Sequence, residues 1–262
     1  MEWLQIIVLS LIQGLTEFLP VSSSAHLILP ALLTDWPDQG FAFDVAVHLG
    51  SLLAVLAYFR REMAQFAISG TRLLVQRRHD AHSDLLVKIA AATLPVVIVG
   101  YLLKSWVETE LRSVLVIAAA TIVFALVLWW ADRQRGQVDQ PSWTHALVIG
   151  AAQVLALVLG TSRSGITISA ALLVGLSRTS AARFSFLLSI PTIAGAALLA
   201  TLALLETGEA ARWPELVLGA GMAGLSAYAC IHYFIALVER TGMLPYVIYR
   251  LALGSVLLAL LL

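Results

Sequence analysis

Residues 19–29 read LPVSSSAHLIL: a proline, three serines and a histidine inside an otherwise apolar N-terminal segment, Leu4–Leu33. Such polar groups are costly in lipid. Only seven residues follow His26 before Thr34 and Asp35, too few for a second crossing, which takes about 20 apolar residues. A helix–loop–helix that enters the membrane and returns explains the pattern, because irregular backbone is tolerated at depth where protein or water lines it. A second segment, His145–Leu173, is interrupted in the same way by GTSRSGITIS, Gly160–Ser169.

The rest of the chain sets the solvent. Of 262 residues, 60% are hydrophobic and 12% charged, and the mean hydropathy is +0.90. A soluble domain of this kind would need every long apolar block to be a fully buried core helix. The expected fold is therefore all-α and integral to the membrane. Six blocks are long enough to span: Phe41–Phe59, Leu85–Leu103, Val114–Trp130, Phe184–Leu204, Leu216–Leu237 and Leu244–Leu262. Between the first two, Glu62–Val75 reads either as an interfacial amphipathic helix or as a solvated basic loop. Net charge is zero, and aromatic residues do not interleave with basic ones, so no nucleic-acid partner is implied. The single cysteine, Cys230, excludes an intrachain disulfide and a thiolate metal site. MEWLQ lacks a positive n-region, so the first segment is expected to stay in the mature protein.

The two broken segments resemble each other. At an offset of 140, QGLTEFLPVSSSAHLILPALL lies over QVLALVLGTSRSGITISAALL with nine of 21 positions identical, among them the glutamine and two serines. Each segment is followed by three spans, so residues 1–135 and 141–262 form two repeats. An odd number of spans inverts the second relative to the first. Charge agrees: 11 basic residues, from Arg60 and Arg61 through Arg135 to Arg240, fall on one side, and only Lys104, Arg112 and Arg212 on the other. The first side is then cytoplasmic. Both termini face outward, and the broken segments dip in from opposite sides to meet. Trp36, Trp106, Trp129, Trp130, Trp143 and Trp213 lie near span ends, as an interfacial belt requires.

The interruptions hold the chemistry. Gln13 and Glu17 are four apart and share a helix face. An ionisable residue in a membrane segment is a functional candidate, with interhelical hydrogen bonding the rival role for Glu17. Pro20 ends the first limb. Ser22, Ser23 and Ser24 begin the second, where they serve as caps or also bind an anion at the helix N-terminus. His26 lies one turn past Ser23. In the second segment Gly160 and Gly165 bracket Ser162, Arg163 and Ser164; the guanidinium fork matches phosphate oxygens. Thr167 adds a hydroxyl or bonds its own helix. Asp44 and His48 line the mouth or are ordinary helix-end polar residues. Arg250 reads as structural. Together these groups suit a phosphate ester or anhydride. They lack the carboxylate series of a proton relay and the lysine of a P-loop. A divalent cation, Mg2+ or Ca2+, bridging Glu17 and phosphate oxygens fits the set. Small-residue tracts at Ala194–Ala200 and Gly219–Gly224 permit close helix packing, or a groove for lipid.

The segments QGLTEFLPVSSSAHL and GTSRSGITIS, with FAFDVAVHLGSLLAV and FSFLLSIPTIAGA, resemble the undecaprenyl-pyrophosphate phosphatase family along the whole chain. Gln13 takes the amide option at the first position of the family's acidic motif, and Leu159 stands where a proline is usual. The resemblance implies a bacterial inner-membrane enzyme that hydrolyses undecaprenyl pyrophosphate to the monophosphate and phosphate on the periplasmic side. It implies dependence on a divalent cation, and functional roles for Glu17, Ser23, His26, Ser162, Arg163 and Thr167. Two routes stay open: attack by Ser23 with Glu17 or His26 as base, or attack by a water activated by Glu17 or metal. A lipid-carrier flippase or anion transporter is the alternative that inverted repeats raise. A histidine-nucleophile lipid phosphatase is discounted, since no H-x3-D follows His26 or His145.

Overall fold

The computed structural model describes residues 2–23, 25–27, 36, 39–103, 113–134, 136–207 and 212–261. Ser24, Lys104, Trp106, Arg112 and Arg135, named above, lie outside the described residues. Ten α-helices are seen within them: α1 Trp3–Phe18, α2 Phe41–Tyr58, α3 Arg60–Gln76, α4 Ala81–Leu102, α5 Val114–Asp132, α6 Trp143–Gln153, α7 Arg163–Leu173, α8 Arg178–Thr207, α9 Trp213–Thr241 and α10 Leu244–Ala259. Five are long and apolar enough to cross a bilayer: α2, α4, α5, α9 and, within α8, Arg178–Leu204. The sixth expected span, α10, is shorter than Leu244–Leu262, with 16 residues, because the helix closes at Leu260. The protein is an all-α multi-pass membrane protein. Its outward faces carry Leu53, Leu126, Leu198 and Leu225, exposed here and suited to lipid.

Both interruptions have local causes. Leu19 precedes Pro20, whose ring disfavours helical backbone before it; Leu19 is extended (φ −69°, ψ 145°) and α1 stops at Phe18. In the second segment α6 runs into a 3-10 turn, Val154–Leu157, before the chain opens and α7 begins. The entry and exit of this segment lie side by side. Val138 N donates to Gly175 O at 3.0 Å and Ser177 N to Val138 O at 2.9 Å, a parallel bridge between Val138 and Leu176. With α6 and α7 packed on each other, the segment enters and returns at one face.

The helices interlock across the halves of the chain. α1 and α2 pack on α9, α4 packs on α6 and α8, and α5 packs on α7 and α10. Phe18, at the tip of α1, is fully buried and meets Phe186 edge-on, ring centroids 5.4 Å apart. The Gly219–Gly224 tract is used for tight packing: a Cβ on Gly50 would lie 2.1 Å from Ala220 O. The other tract, Ala194–Ala200, instead contributes Ala196, Ala197 and Ala200 to a cavity.

Of the two readings open for Glu62–Val75, the helix is what forms. α3 buries only Phe66 and Ser69 and leaves its basic face open. Polar contacts fasten the same end of the bundle. Arg178 pairs with Asp132, whose carboxylate also accepts from Met243 N; Arg183 pairs with Glu62; and Lys88 donates to Pro141 O. Asp80 caps α4 reciprocally with Ser83, and the Ser83 backbone N–H holds its carboxyl below the ordinary aspartate value.

The close approach at Gly50 has a direct test. Gly50→Ala should lower the unfolding temperature in detergent, at a cost of about 1–3 kcal/mol from overpacking. Gly221→Ala, where nothing lies within 4 Å of the added carbon, should be neutral or stabilising.

Candidate active site

Glu17 is the centre of the polar cluster. It sits on the last turn of α1, nearly buried, and its carboxylate accepts from both broken segments. Gln13 Nε2 donates to Oε2 at 3.0 Å along the α1 face. Ser23 Oγ, across the Pro20 bend, donates to Oε2 at 3.2 Å. Arg163 Nη2, the first residue of α7, donates to Oε1 at 3.1 Å and to the Glu17 carbonyl at 3.3 Å. His48 Nε2, from α2, lies 3.8 Å from Oε2, while its Nδ1 donates to Asp44 O at 2.7 Å. Of the spacing-based pairs, Gln13 bonds the Glu17 carboxylate and His48 lies near it, whereas the Asp44 carboxylate turns to Gln39, whose Nε2 donates to Oδ1 at 3.1 Å.

Both loops contain a serine in left-handed backbone. Ser22 has φ 73° and Ser162 φ 70°, and the two occupy the same position at the offset of 140. Such a conformation costs a non-glycine residue of the order of 1 kcal/mol or more, and persists only when the surroundings impose it. Ser162 caps α7 by accepting from Gly165 N at 3.1 Å. Ser164 ties the loops together, donating to Leu19 O at 2.8 Å. Gly160 (φ 93°) passes so close to α5 that a Cβ would lie 2.3 Å from Ile117 O. Arg163 is steadied by Ser185 O, 3.3 Å from Nη1.

Other sequence candidates lie behind this front. Thr167 bonds its own helix through Arg163 O (2.8 Å) and pairs with Ser185 Oγ (2.7 Å). Gly165 is buried against Arg250, which a Cβ there would meet at 2.7 Å. His26 turns away from Glu17: its Nδ1 donates to Ser22 O (2.7 Å) and its Nε2 meets Tyr249 Oη (2.6 Å).

Three contributors were not singled out as site residues. Ser185 lies in the FSFLLSIPTIAGA segment, but as one of three serines of α8 it has nothing in its spacing to mark it as a site residue. Tyr249 and Arg250 do carry a signal: they are a polar pair inside an apolar block. Arg250 is fully buried and its guanidinium binds four backbone carbonyls, Thr121, Pro20, Gly160 and Thr161, at 2.9–3.3 Å. Its structural reading is right in kind. The structure it holds is the junction of both loops.

A cavity of about 610 Å³ opens in front of the cluster. One end is polar, with Glu17, Ser22, Ser23, Asp44, His48, Ser162 and Arg163 on its wall; the other is apolar, with Val96, Ala156, Leu157, Val158, Ile193 and the alanines of α8. Among the described residues no three His, Cys, Asp or Glu side chains form a metal cluster. Hard oxygen donors are nevertheless present: the Glu17 carboxylate, and the buried Gln13 Oε1, which has no hydrogen-bond partner. That pair fits a divalent cation whose shell is completed by oxygens of a bound ligand.

The family model described as bacitracin resistance protein BacA matches residues 6–256. The chain is 52% identical over 261 residues to an undecaprenyl-diphosphatase from Alteromonas mediterranea, covering 98% of each chain. It is 54% identical over 266 residues to undecaprenyl-diphosphatase 2 from Stutzerimonas stutzeri, covering 99% of this chain and 98% of that one.

Arg250→Met leaves four buried carbonyls short of a donor and should lower stability by about 3 kcal/mol or more. Arg250→Lys, with charge but no fork, should recover only part of it. Thermal unfolding in detergent measures both.

Proposed function

The chain belongs to the bacitracin resistance protein BacA family, and on that premise we propose that the Glu17–Ser23–Arg163 cluster is its active site. The protein is an undecaprenyl-diphosphatase. It hydrolyses undecaprenyl pyrophosphate to undecaprenyl phosphate and inorganic phosphate, which returns the lipid carrier to cell-wall synthesis. The observation that carries the site is the cavity itself: the charged groups of both broken segments at one end, an apolar wall at the other. That matches a head group of phosphates on a hydrocarbon tail.

In the mechanism, Arg163 turns its guanidinium from Glu17 Oε1 to the terminal phosphoryl group and, with the Ser162 hydroxyl and the loop N–H groups, holds its oxygens as charge builds. Ser23 Oγ attacks phosphorus, and its proton passes to Glu17 Oε2, to which it already donates. The bond to the bridging oxygen breaks and the lipid monophosphate leaves, taking the proton from Glu17. The regenerated Glu17 carboxylate then deprotonates a water, which attacks the phosphoserine phosphorus; the P–Oγ bond breaks, inorganic phosphate leaves, and Ser23 Oγ recovers its proton from Glu17. Glu17 and the Gln13 carbonyl, together with phosphate oxygens, would hold a divalent cation, which when bound supplies further neutralisation of the phosphate charge. His26 plays no part in this proton transfer, because both its nitrogens are engaged elsewhere.

We further propose that residues 1–135 and 141–262 are inverted repeats, with the broken segments entering from opposite faces. The matched left-handed serines, and the packing of the first limb of each half on the other half, support this. The cavity is lined by the start of α2 and the later parts of α4 and α8, away from the basic ends at Arg60, Arg178 and Arg240. By the positive-inside bias the cavity opens outward, on the periplasmic side of a bacterial inner membrane.

Two experiments test this. In detergent with Mg2+ or Ca2+, phosphate release from undecaprenyl pyrophosphate should need no membrane gradient. Arg163→Ala should cost on the order of 10² or more in rate, Ser23→Ala and Glu17→Gln at least as much, and chelation should reduce the rate reversibly. Wild-type turnover by Ser23→Ala would leave a Glu17-activated water as the attacking group; absence of release by the wild type would favour transport. For sidedness, an impermeant maleimide added to intact spheroplasts should label Gln39→Cys, and label Arg77→Cys only after permeabilisation. The reverse pattern would overturn the orientation.

A further inference from the structure

The polar network behind the Ser22–Ser23 bend assigns His26 a role different from proton transfer, and gives Tyr249 one as well. A ring nitrogen that faces a carbonyl oxygen must carry the hydrogen, because a carbonyl only accepts. His26 Nδ1 lies 2.7 Å from Ser22 O, so Nδ1 donates. In that neutral tautomer Nε2 is an acceptor, and Tyr249 Oη, 2.6 Å away, donates to it. The two rings are parallel to within 4°. Both nitrogens are spent, neither on Ser23 nor on Glu17, and His26 is not on the cavity wall.

What His26 holds is the carbonyl of a strained residue. Ser22 is left-handed at φ 73°, a state serine keeps only when its surroundings impose it. The next residue is Ser23, whose Oγ lies 3.2 Å from Glu17 Oε2. The neighbour of Tyr249, Arg250, binds Pro20 O. Consecutive residues of α10 thus secure the bend on both sides: Arg250 directly at Pro20, Tyr249 through His26 at Ser22.

We propose that Tyr249 is a positioning residue for the reaction: its hydroxyl fixes the His26 tautomer whose Nδ1–H holds Ser22 O, and so keeps Ser23 aimed at Glu17. The proposal rests on Ser23 being the attacking group. Tyr249 and His26 touch neither substrate nor reacting atoms; they act through the backbone.

The test is a double-mutant cycle on the purified protein in detergent, with undecaprenyl pyrophosphate as substrate and unfolding temperature as the check on folding. Asparagine can place an amide N–H where Nδ1–H was, but it cannot titrate or reach Tyr249. His26→Asn should therefore keep kcat within about tenfold of wild type, whereas His26→Ala loses about 100-fold or more. Tyr249→Phe keeps the ring and loses the donated proton. It should lower kcat about tenfold with KM changed less than about twofold. In the His26→Asn background it should cost nothing more, because its route is gone. If His26→Asn is as inactive as His26→Ala while still folded, the histidine transfers a proton and the proposal fails. It fails equally if Tyr249→Phe has no effect, or has its full effect in the His26→Asn background. Should His26→Ala not fold, the Tyr249→Phe arms in both backgrounds carry the test. Wild-type turnover by Ser23→Ala, measured alongside, would remove the nucleophile itself, a failure distinct from any in the cycle.

Discussion

An ion pair between the tips of two interrupted membrane segments, Arg163 Nη2 to Glu17 Oε1 at 3.1 Å, is the contact on which the rest of the structure depends. Removing two charges from water is repaid only when geometry is good and the remaining donors and acceptors are satisfied. Here they are. Glu17 also accepts from Gln13 and Ser23, and Arg163 also reaches Ser185 O and the Glu17 carbonyl. Neither segment alone supplies both signs of charge. The pair draws the two bends together, and their meeting point gathers hydroxyls and a guanidinium on one cavity wall.

Holding the bends there has a cost that the fold meets with backbone contacts. Ser22 and Ser162 take left-handed conformations, and loop carbonyls freed from helical bonding need donors. Arg250 supplies them from α10, reaching Pro20 on one loop and Gly160 and Thr161 on the other. Ser164 adds a direct link from the second loop to Leu19 on the first. A buried arginine that meets only carbonyls marks a place where irregular chain must be kept at membrane depth. The same helix, through Tyr249 and His26, reaches the strained carbonyl of Ser22, beside Ser23.

Much of this was legible beforehand because the bilayer makes polar residues conspicuous. Glu17, Arg163 and the serines stand out against apolar surroundings, and the offset of 140 links Ser22 to Ser162 without coordinates. The spans were readable for the same reason, since their length is set by membrane thickness. What escaped was direction. Sequence spacing placed His26 one turn past Ser23, which suggested a base, but the ring faces Ser22 O and Tyr249 instead. Ser185 escapes because nothing sets it apart from Ser180 and Ser189 of the same helix, and its partners Arg163 and Thr167 lie about 20 residues away on another helix.

The central claim is that both broken segments build one active site in which Ser23 attacks phosphorus. Rapid quenching of the wild-type protein during turnover of undecaprenyl pyrophosphate, followed by mass spectrometry of its peptides, tests this most directly. One transient phosphoryl group on Ser23 is expected, formed at a rate no slower than phosphate release and absent when Arg163 is replaced by alanine. Full turnover with no phosphoryl group on Ser23 at any time would contradict it.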